Sequence, residues 1–259
     1  MEGYRDTTDH SGFVPEKRLN WPQIATKPLR DGQYQVKRLR RSLITSASDL
    51  WRSVYPELYG SPHELLLDPA RYDELIAIED TWEEDADSKS YCMPVIEELG
   101  AGKIVAASLL TKFDKNLQVE LSFVAVHPDY QIKELVDELY WQTHLSAYHS
   151  GAEYFTACCD VSDNSSQERF IREGWNIAGI FPGHSIRCSR GVDEYRSSVV
   201  HFYKFLGKSG KYASKPEEWH LAPRVKEAWD ALEKANQSIQ ASLKEKMRTV
   251  LNEGCRLSP

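Results

Sequence analysis

Long apolar runs are missing from this chain. No stretch approaches the ~18 consecutive apolar residues of a spanning helix, so no membrane partner is expected. Residues 1–15 are polar, without an apolar run, and nothing there resembles a secretory leader. Cysteine is scarce and unpatterned. Cys92, Cys158, Cys159, Cys188 and Cys255 are odd in number and lack both CxxC and Cys/His ligand spacing, so neither a disulfide framework nor a metal is expected. Free thiols suit a reducing, cytoplasmic compartment. Positive charge is short as well. Lys and Arg number 32 against 39 Asp and Glu, and the net charge of −7 gives no whole-chain attraction for nucleic acid. Internal repeats and low-complexity tracts are also lacking.

What is present is ordinary globular material. The 259 residues are 41% hydrophobic and include 7 Trp, 13 Tyr and 8 Phe, enough to bury one core and leave an appendage. Residues 1–32 read as an extended arm, punctuated by Pro15, Pro22 and Pro28 and carrying the aromatic anchors Phe13 and Trp21. Alternation over 35–40 suits a half-buried strand whose outer face is basic through Lys37, Arg38, Arg40 and Arg41; a phosphate or nucleic-acid patch is the alternative. Helical spacing follows over 46–55 and again over 69–79. The carboxylates Glu79, Asp80, Glu83, Glu84, Asp85 and Asp87 form either a solvated loop or a funnel for a cationic amine.

Three strands in hairpin succession are predicted at 91–98, 103–111 and 117–126, closed by a break at Pro128. An amphipathic helix then covers 131–150, followed by a buried strand at 153–159 and a short helix over 165–173 that Gly174 ends. Two last strands lie near 175–181 and 197–206. Residues 208–259 are a linker and a long amphipathic helix, striped by Val225, Trp229, Leu232, Ile239, Leu243 and Val250. So long a stripe must cover its own domain, or a homodimer mate or other partner protein.

This succession over 33–207 resembles the GNAT (N-acetyltransferase-like) superfamily, an α/β fold with a mixed central sheet flanked by helices. Three segments carry the likeness. Residues 119–131 (VELSFVAVHPDYQ) resemble the family's central strand and its exit loop, Phe170-Ile171-Arg172-Glu173-Gly174-Trp175 its Tyr-x-x-x-Gly-Phe element, and residues 200–206 (VHFYKFL) its last strand. Residues 170–183 and Tyr203-Lys204 are also faintly similar to bacterial β-lysine N-acetyltransferases.

The resemblance implies transfer of an acyl group, commonly acetyl, from acyl-CoA to a small amine. It implies that Glu120 is the general base, since an ammonium must lose a proton before its nitrogen attacks a thioester. An outward-facing strand carboxylate is the plainer reading. The backbone of Phe123, Val124, Ala125 and Val126 would pair with the pantetheine arm. The loop Gln131, Ile132, Lys133 would cradle the pyrophosphate at a helix N-terminus, and Asn164 would bond the pantetheine amide unless it only starts a helix. Glycine is missing where the family needs it, because Glu134 and Val136 occupy the loop's small positions. A carboxylate at Glu134 would repel phosphate and weaken acetyl-CoA. Phe170 stands where a tyrosine often protonates the leaving thiolate; Tyr154 and Tyr203 are the substitutes weighed. Cys158 and Cys159 read as buried strand thiols, with no base supplied by the sequence. The alternative function is a catalytically degenerate GNAT-like scaffold for another ligand or protein, or an enzyme using another thioester.

Overall fold

The computed structural model describes residues 18–59, 61, 63–80, 86–189 and 193–254. The expected Glu83, Glu84 and Asp85, Phe13 and Cys255 lie outside these residues. Among the described residues ten strands form one sheet: β1 Lys27–Leu29, β2 Tyr34–Arg38, β3 Ile76–Ala77, β4 Tyr91–Cys92, β5 Pro94–Glu98, β6 Lys103–Phe113, β7 Gln118–Val126, β8 Tyr154–Asp160, β9 Asn176–Ser189 and β10 Asp193–Phe205. Their spatial order is β1-β2-β5-β6-β7-β8-β10-β9, with β4 on β6 and β3 on β4. Helices are α1 Ile44–Val54, α2 Tyr72–Leu75, α3 Lys133–His149, α4 Asn164–Arg172 and α5 Pro223–Gly254. The sheet thus begins at Lys27, inside the segment read as an arm.

Each face of the sheet takes one principal helix. Helix α1 places Ala47, Leu50 and Trp51 over Val95, Leu109 and Ala125, and all six are buried. It stops at Tyr55 because the residue before Pro56 is driven out of helical geometry. On the other face Leu135 and Leu139 of α3 cover Val36, Ile96 and Val105. Burying each such side chain contributes about 1.5–3 kcal/mol. The helix expected over 69–79 is cut to the single turn α2, because the apolar run Ile76-Ala77-Ile78 enters the sheet as β3 and packs into the core.

Strand β2 differs from its expected basic outer face. Lys37 and Arg38 are each 1% exposed. Lys37 forms an ion pair with Glu97. Arg38 donates to the carbonyls of Trp21, at 3.0 Å, and of Pro22. The segment 18–26 lies over the sheet with Leu19 and Trp21 buried in the core, and Lys112 Nζ donates to Leu19 O at 2.8 Å. Buried cations need partners, and the arm's carbonyls supply them. Arg40 and Arg41 do face outward, where Glu79 pairs with Arg40 at 3.2 Å and Asp80 accepts from the Arg41 amide at 2.8 Å.

The tail helix covers its own domain. Its 32 residues span roughly 48 Å at ~1.5 Å each. Asn236, 4% exposed, acts like one more strand residue on β9. Its Oδ1 accepts from Ile177 N at 2.7 Å and its Nδ2 donates to Ile177 O at 3.0 Å. Gln240 Nε2 donates to Gly174 O at 2.9 Å. Gly174 ends α4 at φ +76°, and an added Cβ there would lie 2.4 Å from a Leu243 methyl. Only glycine meets both the left-handed backbone and the close helix.

Replacing Asn236 with alanine orphans both Ile177 groups. We expect a loss of about 1–3 kcal/mol in urea denaturation, against less than about 0.5 kcal/mol for the exposed Gln237→Ala.

Candidate active site

Strands β7 and β8 run parallel and pair only from Gln118↔Tyr154 to Leu121↔Ala157. On the other side β7 is interrupted against β6, because Leu110 faces Leu121 and Leu109 faces Phe123, leaving Ser122 without an opposite number. This bulge bends β7 away from β8. Beyond it the two strands part, and the fork opens into a cavity of about 1310 Å³. From β7 come Ser122, Phe123, Val124 and Val126; from β8 come Cys158, Cys159 and Asp160. Tyr55 closes one wall, Val136 and Tyr140 of α3 and Arg169 of α4 another, and Tyr195 arrives on the β9–β10 hairpin. That hairpin runs well past the strands predicted near 175–181 and 197–206, so alternation over its distal half was missed.

In the fork the β7 backbone has lost a neighbour. Tyr55 Oη donates to Val124 O at 2.7 Å and Gln131 Nε2 to Val126 O at 3.1 Å. Strand alternation turns the peptide groups of Val124 and Val126 into the cavity, while His127 N bonds Val105 O at 2.9 Å on the β6 side. Each carbonyl keeps a second lone pair. Of the residues expected to hold a cofactor, Phe123, Val124, Val126, Gln131 and Lys133 line this cavity. Ala125 is buried against the α1 layer and Ile132 packs beside Leu135, while Asn164 opens α4 without lining the cavity. Asp163 caps that helix, accepting from Ser166 N at 3.0 Å.

Glu134 differs from its expected position near phosphate. It is exposed and lines a shallow groove on the outer side of α3 with Lys133, Glu138 and Trp141. The reason is helical geometry, since Val136, not Glu134, falls on the inward face with Tyr140. Lys133 and Arg169 both bind Asp137, Arg169 at 2.8 Å, so their charge is partly spent.

Glu120 is half-buried beside Ser122, whose Oγ donates to Glu120 Oε1 at 3.2 Å and lies 2.7 Å from Thr111 Oγ1. Burial pushes its carboxyl above the usual range, opposed by the Ser122 bond and by His184. Phe170 packs at 3% exposure among Trp175, Phe202 and Tyr140. Tyr154 and Tyr203 stack on each other away from the cavity lining. Tyr140 is the tyrosine facing the fork beside Phe170, with the Arg169 guanidinium 4.5 Å over its ring; burial keeps its phenol protonated. Sequence reasoning saw Tyr140 only as one more apolar-face residue, because nothing local marks a helix position that faces a sheet fork. Among the described residues no cluster suits a metal ion.

The sequence matches no family model and no curated protein. Solved structures do match. The ribosomal-protein-S5-alanine acetyltransferase of Vibrio fischeri superposes with a TM-score of 0.51 at 10% identity, covering 70% of this chain and 96% of that one. The fold is the GNAT fold. Spermidine N-acetyltransferase SpeG of Vibrio cholerae, solved as a point mutant, has a TM-score of 0.51 at 14% identity, covering 68% and 96%. The Salmonella typhimurium protein yncA, solved with its cofactor acetyl-CoA, has a TM-score of 0.50 at 15% identity, covering 72% and 99%. The GNAT fold therefore accounts for about two thirds of the chain, leaving much of the arm and tail beyond it.

A carboxyl whose pKa is raised in the folded state costs stability as pH climbs past its unfolded value, and the full cost applies above the folded value. Glu120→Gln should therefore melt higher than the parent at about pH 8, with the difference gone below about pH 4. Thermal melts at the two pH values check this.

Proposed function

We propose that this protein is an acyl-CoA-dependent N-acyltransferase, with acetyl as its group and a small amine as its acceptor. The observation that carries the reading is the fork: two peptide edges without a partner strand, at Val124 and Val126, face a large cavity with a shielded carboxylate behind it. The neighbours add support, since one was solved with acetyl-CoA and others are named for acetylating spermidine or a protein's alanine. Unpaired thiols at Cys92, Cys158 and Cys159 suit a cytoplasmic site of action. No described helix is long and apolar enough to cross a membrane.

In this mechanism the acyl donor supplies a thioester, and the chain's own groups do the rest. Val124 and Val126 hold its arm by backbone bonds. Gln131, the first amides of α3 and Lys133 meet the phosphates. Glu120 takes the ammonium proton directly or over one water, and the donor bond Ser122 gives it keeps the carboxylate aimed. The amine nitrogen then attacks the carbonyl carbon, and the thiolate that departs takes a proton from the Tyr140 hydroxyl, in place of the tyrosine that Phe170 replaces. The bulge leaves the peptide groups near Ser122 turned toward the place where the carbonyl oxygen gains charge.

A second reading is a GNAT fold whose cavity serves another ligand. Two observations favour it: Val136 fills part of the phosphate end, and Tyr55 and Gln131 already occupy the two carbonyls. Calorimetry with acetyl-CoA separates the two readings. On the transferase reading binding is measurable, Lys133→Ala weakens it about 3- to 10-fold (roughly 0.7–1.4 kcal/mol), and the outward Glu134→Gly changes it less than about 2-fold. Absence of binding by the folded protein favours the second reading.

With an amine panel, Glu120→Gln should lower the rate of transfer by about 100-fold or more and Tyr140→Phe by about 10-fold or more. Near-parental rates in both variants would remove these residues from the mechanism.

A further inference from the structure

Cys158 and His201 face each other across β8 and β10, in register and on the same side of the sheet. The sulfur lies 3.3 Å from Nε2 and 3.4 Å from Nδ1 of the imidazole. The ring is held in turn by Phe181, whose centroid is 4.2 Å away, and by His184 at 5.0 Å. Cys158 is half-buried and lines the fork cavity beside Ser122. The mechanism above uses neither residue. Cys159, its neighbour, also borders the cavity but is buried in the cluster of Phe170 and Trp175, with no imidazole among the described residues bonded to it; Cys92 is sealed in the core. Among the cysteines whose side chains are described, Cys158 alone has a base and an opening.

We propose that Cys158 is a covalent acyl-acceptor site, with His201 as its base, opening a second route, beside the direct attack described above, in which the acyl group rests on an S-acyl enzyme before reaching the amine. The proposal rests on the N-acyltransferase reading only for the identity of the donor. The thiol proton moves to an unprotonated His201 nitrogen as the sulfur bonds to the donor's carbonyl carbon. The bond from that carbon to the donor sulfur breaks, and the departing thiolate receives the proton from His201. One thioester replaces another, with no oxidant or reductant. An amine deprotonated at Glu120 then attacks the Cys158 thioester; the released sulfur is reprotonated from the attacking nitrogen through His201, leaving an amide and the free thiol.

The resting state of the pair makes this first proton transfer uphill, so acylation of the thiol is expected to be slow. Burial and the Glu120 charge push the Cys158 thiol up to about 12, so it rests protonated and is guarded from oxidation. Burial and the neighbouring His184 hold His201 below the usual imidazole range, which leaves it neutral, with a lone pair free for a proton, and a weaker base than an exposed imidazole. The thiolate arises only as the proton transfers. His201 on β10 touches the sulfur and the Glu120 carboxylate on β7 acts on it electrostatically, while His184 on β9 lies against the His201 ring and near Glu120.

Full-length protein would be incubated without amine, once with acetyl-CoA and once with p-nitrophenyl acetate, then quenched in acid and weighed intact. The expected result is one hydroxylamine-labile acetyl group in the parent and in Cys159→Ser, and none in Cys158→Ser. His201→Phe should slow its appearance by about 100-fold. Labelling by p-nitrophenyl acetate but not by acetyl-CoA would uphold the Cys158 site while sinking the CoA reading. Amine acetylation from acetyl-CoA that proceeds at the parental rate in Cys158→Ser, with no acetyl-enzyme in the parent, would overturn the Cys158 proposal and leave the N-acyltransferase reading standing. Labelling in Cys158→Ser equal to the parent's would overturn it as well.

Discussion

The site depends on a single extra residue in one strand. Ser122 has no register partner on β6, and the bend it imposes ends the parallel pairing of β7 with β8 at Leu121 and Ala157. A sheet that parts in its middle leaves polar backbone groups without neighbours, at a cost of about 1–3 kcal/mol for each one buried unsatisfied. Tyr55 and Gln131 meet two of those needs. Their positions follow from the flanking packing: Tyr55 ends the helix that Trp51 anchors, and Gln131 ends the turn that Pro128 begins. The cavity is therefore the residue of a broken ladder, kept open because both sides of the break are rigid. On one side α1 and α3 clamp β7 through the sheet's two faces; on the other β10 holds β8 along its whole length.

Much of the scaffold was legible from sequence because periodicity reports burial. Helix α3 and the tail helix each show an apolar stripe of the right period, and the order of the elements together with three family-like segments suggested the fold. Charge was misread for a physical reason. Lys37 and Arg38 look like a solvated face, yet Glu97 and the carbonyls of Trp21 and Pro22 surround them. No local pattern reveals that a segment far outside the strand will lie over it. The same limit hid the site's second half. Glu120 was visible as a candidate because it lies in the central strand, whereas Tyr140, Cys158 and His201 acquire chemical meaning only from register. Cys158 meets His201 because β8 and β10 are antiparallel at one particular offset, and a slip of one residue would send the imidazole to the opposite face. Glu134 illustrates the converse: its position in the loop suggested a misplaced charge, and the turn of the helix carried it outward.

The tail bears on the same sheet from its open end. Strand β9 is the last in the order, and an edge strand of that length invites pairing with another chain. Asn236 fills the position of a partner strand at Ile177, and Gln240 and Leu243 fix the helix where α4 ends. The appendage thereby closes part of the edge on which the hairpin carrying His184 and Tyr195 depends. Much of its circumference remains in water, with Val225 and Met247 both exposed, so its stability comes from a few polar bonds and a narrow apolar stripe, not from a broad buried face.

Electrostatics sets the two ends of the cavity apart. At the α3 end, Lys133 and Arg169 share Asp137, and Arg169 also binds Glu173 at 3.2 Å. Those four charges cancel, so an anion arriving there gains from Lys133 by drawing it from Asp137. Its main attraction would be the unpaired amides at the start of α3, whose N-cap residue Ile132 offers no side-chain acceptor to compete. Next to the cavity, beside Ser122, Glu120 is shielded enough to hold its proton more tightly than a surface carboxylate, and His184, which acts on it, is exposed. A buried base of that kind is useful only if the proton can leave again. His184 is both near enough to bias the Glu120 carboxylate and open to water, and His201 links it by ring contact to Cys158. The polar side of the fork thus sets a shielded carboxylate and thiol beside two imidazoles, one of them open to water, while the opposite end is electrically balanced.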